Sequence, residues 1–81
     1  MVKVTLQGGL KAAAGGRAEF EVEASTIREL VQRLAEAAPE LKPALDRGVA
    51  VSVDGRIYRD SWFQPITPDS EVFVFSRMAG G

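Results

Sequence analysis

"STIRELVQRLAEAAPEL", residues 25–41, is the stretch in which the hydrophobic pattern changes its period. Ile27, Leu30, Val31, Leu34 and Ala38 fall at i, i+3, i+4, i+7 and i+11, which places them in one stripe along a helix. Thr26 is followed three residues later by Glu29, the capping-box spacing in which hydroxyl and carboxylate satisfy amide groups left orphaned at a helix start. Pro39 disfavours helical backbone at Ala38 and sets the other boundary. The pattern predicts a helix over 27–38. Its outer face carries Arg28, Gln32, Arg33 and Glu36, a charge mixture that reads as a solvated surface.

Both flanks of this helix read as strands. On the N-terminal side "VKVTL" (2–6) alternates Val2, Val4 and Leu6 with Lys3 and Thr5, the period-two pattern of a strand with one buried face. "QGGLKAAAGG" (7–16) is punctuated by Gly8-Gly9 and Gly15-Gly16 and predicts a loop with a short helical turn through its three alanines. "RAEFEVEA" (17–24) then alternates again, Ala18, Phe20, Val22 and Ala24 inward against Glu19, Glu21 and Glu23 outward. Same-face residues two apart form a line and do not converge on one ion, so pairing of these glutamates with Lys3 across the hairpin is favoured over a carboxylate metal site.

On the C-terminal side "KPALDRG" (42–48) predicts an irregular or one-turn helical connection. "VAVSVDGRIY" (49–58) follows as a hairpin, with Asp54-Gly55 suited to the positive-φ positions of a two-residue turn. "RDSWFQPITPDS" (59–70) has two prolines and no clean period, and reads as a surface-hugging loop with Ile66 and Trp62 anchored to the core. A lone Trp in a small domain is read as packing rather than as a stacking platform for a ligand. "EVFVFS" (71–76) is the final strand.

The order is strand, strand, helix, strand, short strand, strand, an α+β arrangement. A single helix between two hairpin-like units covers one face of a mixed sheet of four to five strands, and a right-handed crossover brings the last strand in parallel beside the first. This is the ubiquitin-like β-grasp arrangement. The last strand is apolar on both faces: with Val72 and Val74 under the helix, Phe73 and Phe75 face outward. Two adjacent aromatics on an open face suggest a partner-binding patch; the alternative is that the 59–70 loop folds over and buries them.

A chain of 81 residues fits one domain, expected here as a folded unit over 1–75 with a flexible tail over 76–81. Its composition, 46% hydrophobic and 26% charged with a net charge of −1, gives no general pull towards nucleic acid or acidic lipid. No apolar stretch reaches the length of a membrane span, and "MVKVTLQ" lacks the charged leader and apolar core of a signal peptide, so the cytoplasm is the expected location. Cys and His are both absent. That excludes disulfides, a thiolate nucleophile, an imidazole base and a Cys/His metal site.

The chain resembles the small sulfur-carrier family of β-grasp proteins, whose members include the small subunit of molybdopterin synthase and the sulfur carrier of the thiamine pathway. The resemblance spans essentially the whole sequence. It is carried by "LKAAAGG" (10–16), "VAVSVDG" (49–55), "ITPDSEVFVF" (66–75) and the terminal "AGG" (79–81). It implies that a ubiquitin-activating-type adenylating enzyme uses ATP to convert the Gly81 carboxylate to an acyl-adenylate. A sulfur donor then gives a thiocarboxylate, and the chain itself binds no cofactor. In this reading Gly81 carries the sulfur and Gly80 gives clearance in a narrow channel. Met78 and Ala79 line the channel entry, and Phe73, Phe75 and Arg77 contact the partner. The loop "LKAAAGG" points to molybdopterin biosynthesis, with the large subunit of molybdopterin synthase as acceptor. Ser76-Arg77, where such relatives often carry prolines, and "YRDSWFQ" (58–64) lean towards the thiamine carrier. A ubiquitin-like protein modifier that forms isopeptides with lysines shares the same adenylate, and a plain β-grasp interaction module would use no tail chemistry at all.

Overall fold

In the computed structural model, residues 1–59 and 61–76 are described. The helix announced by the change of period is α2, Ile27–Ala37, with Thr26 as its N-cap in extended backbone conformation. The Thr26 Oγ1 accepts a hydrogen bond from the Glu29 N–H at 3.2 Å. The return bond of the box reaches one residue further back than expected: the Glu29 carboxylate accepts from both the N–H and the hydroxyl of Ser25, each at 2.8 Å. These bonds from Ser25, backbone first and side chain second, hold the Glu29 carboxyl below the ordinary glutamate range, with Arg33 adding to the effect. Ile27, Leu30 and Leu34 are buried along the predicted stripe.

The sheet has five strands: β1 (Val2–Gln7), β2 (Glu19–Val22), β3 (Val49–Val53), β4 (Arg56–Tyr58) and β5 (Val72–Ser76), in the order β2-β1-β5-β3-β4. β5 pairs in parallel with β1 and antiparallel with β3, so the last strand is the central one. Ser76 pairs with Val49 as the last residue of β5. The β3–β4 hairpin turns at Asp54 and Gly55, with φ 51° and 89°, the two left-handed positions that a type I′ turn demands. The turn is also tied to the start of β5, because the Asp54 N–H donates to the Glu71 carbonyl and the Glu71 N–H to Asp54 Oδ1, both at 2.9 Å.

One face of the sheet packs on the helices. Val2, Val4, Leu6, Phe20, Val22, Val49, Val51, Val53, Val72 and Val74 join the buried positions of α2 in one continuous core. Two short helices seal its ends. α1 (Gly9–Ala13) buries Leu10 where a loop with one helical turn was expected. A 3-10 turn (Pro39–Leu41) and α3 (Lys42–Arg47) bury Leu41 and Leu45 where a one-turn connection was expected.

The 59–70 segment takes a path that the sequence does not foretell. No backbone hydrogen bond among its described residues runs to the strand that carries Phe73 and Phe75. Instead the segment straps onto the N-terminus of α2: Ile27 N–H donates to the Gln64 carbonyl at 3.1 Å, Arg28 N–H to the Trp62 carbonyl at 2.8 Å, and Ile66 N–H to the Ser25 carbonyl at 2.9 Å. First-turn amides have no partner inside their own helix, and here the loop carbonyls supply them. Ile66 is buried as expected, but Trp62 is 38% exposed and Phe63 73% exposed. The expectation that Trp62 anchors the loop in the core is therefore corrected, since its backbone holds the strap and its ring lies on the surface.

Leu34 is fully buried under the sheet, so Leu34→Ala is expected to cost about 2–5 kcal/mol by leaving a cavity, and Thr26→Ala about 1 kcal/mol by removing the cap, both read by urea unfolding. A depressed carboxyl stabilises the fold above its unfolded pKa, and that stability is lost as pH falls through the folded value. Glu29→Gln is accordingly expected to flatten the acid-side decline of melting temperature, while leaving its pH dependence near neutrality unchanged.

Candidate functional site

The face opposite the helices is set by strand register. On β5, Phe73 lies between Thr5 of β1 and Ser52 of β3, and Phe75 lies between Gln7 and Ala50. Ser52 in turn pairs with Ile57 of β4, and Thr5 with Glu19 of β2. The open face therefore has an apolar strip at its centre, bordered by small or polar residues and ending in an acidic edge.

Both phenylalanines are half-buried, although they sit on the open face. Ala50, on the same face, is buried without belonging to the main core. Their orientation matches the sequence reading, and their exposure is lower than a free-standing patch would show. Ile57 is the residue that the sequence reading passed over. It is 58% exposed and extends the strip towards the β4 edge. The signal for it was present: a two-residue turn at Asp54-Gly55 fixes Ser52 opposite Ile57, and so turns Ile57 away from the helix.

Charges on this face are arranged by strand. Lys3 Nζ lies 3.6 Å from Glu19 Oε2, with both side chains largely exposed, so the pair orders the surface more than it stabilises the fold. Among the described residues, no three acidic side chains come together as a metal site would require.

Phe75 also belongs to a second feature. At the end of the sheet where β1 and β5 finish, a cleft of about 560 Å³ opens between α1, α3 and β5, lined by Gln7, Leu10, Ala13, Ala44, Arg47 and Phe75, with Ser76 at its edge. The open face and the cleft thus meet at the last described residues of the chain. Arg77, Met78, Ala79, Gly80 and Gly81, assigned to the partner contact and the terminal chemistry from sequence, lie outside the described residues. A separate hollow of about 380 Å³, lined by Arg28, Val31, Gln32, Trp62 and Phe63, lies where the strap crosses α2. Among the described residues, no helix is long and apolar enough to cross a membrane.

Comparison with known proteins places this geometry. The small archaeal modifier protein SAMP1 from Methanosarcina acetivorans superposes with a TM-score of 0.81 at 20% identity, over 99% of this chain and 95% of that one. A chain of the Amycolatopsis orientalis BexX/CysO complex superposes with a TM-score of 0.77 at 18% identity, over all of both chains. A Pyrococcus furiosus protein assigned as molybdopterin converting factor, subunit 1, gives 0.70 at 24% identity, over 93% of this chain and 94% of that one. At such identities the likeness is one of fold, the ubiquitin-like β-grasp. Comparison with curated protein sequences gives no significant match. The sequence profile of the ThiS family, however, matches residues 4–81, from the first strand through the Gly80-Gly81 pair; the chain belongs to the ThiS family of ubiquitin-like sulfur carriers.

Proposed function

We propose that the Gly81 carboxylate is the site at which sulfur is loaded, and that the open face around Phe73 and Phe75 docks the enzyme that loads it. The observation that carries this reading is the family match reaching residue 81, in a chain whose central strand β5 ends at Ser76. A partner that holds the face is then separated from the terminal glycines only by residues 77–79.

The chemistry explains why such a chain needs so little of its own. A carboxylate is a poor acyl electrophile. In the proposed sequence its oxygen attacks the α-phosphorus of ATP on an activating enzyme and pyrophosphate leaves; hydrosulfide supplied by a sulfur donor then attacks the acyl carbon, loses its proton and expels AMP, leaving a thiocarboxylate. Acid, base and nucleotide site all belong to the partner, and the carrier supplies recognition and reach. Glycine at positions 80 and 81 leaves backbone torsions free and side-chain space empty in a narrow channel. The absence of Cys and His is in keeping with a protein that performs none of the steps itself.

For the acceptor we propose molybdopterin biosynthesis, with the large subunit of a molybdopterin synthase receiving the tail. The "LKAAAGG" segment, which forms α1 and its exit, and the shared fold with the Pyrococcus furiosus protein assigned to molybdopterin conversion support this choice. The thiamine pathway and protein modification are the competing outcomes.

Intact mass of the protein purified from its own cells reads these apart: one oxygen replaced by sulfur at the C-terminus is expected, whereas a ladder of lysine-linked conjugates would identify a modifier. Deletion of Gly81, or Gly80→Trp, is expected to abolish adenylation with the melting temperature unchanged, and retained ATP–pyrophosphate exchange in either variant would overturn the assignment. Phe75→Arg is expected to weaken binding to the activating enzyme by at least about tenfold, and a folded variant that binds at full strength refutes the docking face.

A further inference from the structure

The cleft beside Ser76 has a composition that selects its occupant. Leu10, Ala13, Ala44 and Phe75 give it apolar walls. Among the described residues lining it, Arg47 alone carries a charge. Arg47 stands exposed in the last turn of α3, and no described acidic side chain lies within ion-pair distance of it, the pairs being Lys3–Glu19 and Arg33–Glu36. A purely apolar occupant would strip water from the guanidinium without replacing it, and a basic one would be repelled. An aliphatic side chain next to an aspartate or glutamate satisfies both halves of the site, because a guanidinium fork can take a carboxylate through two parallel hydrogen bonds.

We propose that this cleft is a specificity pocket for the activating enzyme, and that it receives a segment in which an aliphatic residue adjoins an acidic one, the carboxylate seated on Arg47. The inference rests on the carrier reading above and deepens it. Phe75 lines both the open face and the cleft, and Ser76 borders it. A protein that grips the face and reaches the chain beyond Ser76 starts from a residue that lines this opening. The hollow at Arg28, Trp62 and Phe63 has no such continuity with β5, and nothing in the structure names its occupant.

Steady-state ATP–pyrophosphate exchange with the cognate adenylating enzyme, at varied carrier concentration, tests the pocket. Arg47→Glu is expected to raise the KM for the carrier about tenfold with kcat unchanged, since reversal of an interfacial charge acts on association. Arg47→Lys is expected to recover most of the loss, and Arg28→Glu to behave as wild type. Added salt should narrow the gap between wild type and Arg47→Glu. Melting temperatures equal to that of wild type exclude misfolding. A wild-type KM in Arg47→Glu overturns the proposal, as does an equal rise in Arg28→Glu, which would mark a general charge effect. Sedimentation that shows Arg47→Glu dissolving a self-associated form, with partner KM unchanged, would give the cleft to a second copy and also overturn it. No exchange with the wild-type protein is a different failure, since it removes the carrier reading itself.

Discussion

The parallel pairing of β5 with β1 is the interaction on which the rest of the molecule depends. It joins the two ends of the described chain, and its cost is the loop closure of everything between them. What offsets that cost is burial: Val72 and Val74 are essentially inaccessible, and so are Val4 and Leu6, their partners in register. Because β3 pairs with the other edge of β5, both edges of the last strand are engaged and the two hairpin-like halves become one sheet. A strand in that position has its faces committed differently, Val72 and Val74 to the core and Phe73 and Phe75 to the open side.

The same arrangement separates rigidity from chemistry. The open face is presented by strands whose register is set by the hydrophobic core beneath them, so Phe73, Phe75 and Ile57 keep a defined spacing without any bond of their own. The strap from Trp62 to Ile66 stays out of the way because the first-turn amides of α2 hold it on the helix side. One set of backbone hydrogen bonds thereby caps a helix and keeps the strap on the helix side.

Much of this was legible in the residues. The helix, the strands and the Asp54-Gly55 turn each rest on a local pattern, and the parallel return of β5 follows from the handedness of crossovers once the order of elements is known. What was not legible depends on groups far apart in sequence. The strap is decided by unpaired amides at Ile27 and Arg28, which no periodicity in 59–70 reveals, and so Trp62 was misjudged as a core residue. The half-burial of Phe73 and Phe75 is a matter of how much neighbouring groups cover, which alternation does not size. Ile57 could have been found by carrying the turn register across to Ser52. The cleft at Arg47 unites α1, α3 and β5 and has no signature in any one of them. The glycines to which the chemistry is assigned were legible as a motif only, since their placement lies outside the described residues.

The central position of β5 also bears on how the protein is made. Translation delivers this strand last among the described elements, so a nascent chain holds two half-sheets with unpaired inner edges until residues 72–76 have left the ribosome. Completion of the described sheet is thereby deferred until β5 is available. A message broken or terminated ahead of β5 yields a product lacking the strand that closes the core, which marks it for proteolysis rather than for docking. Foldedness in this architecture therefore reports that synthesis has passed residue 76.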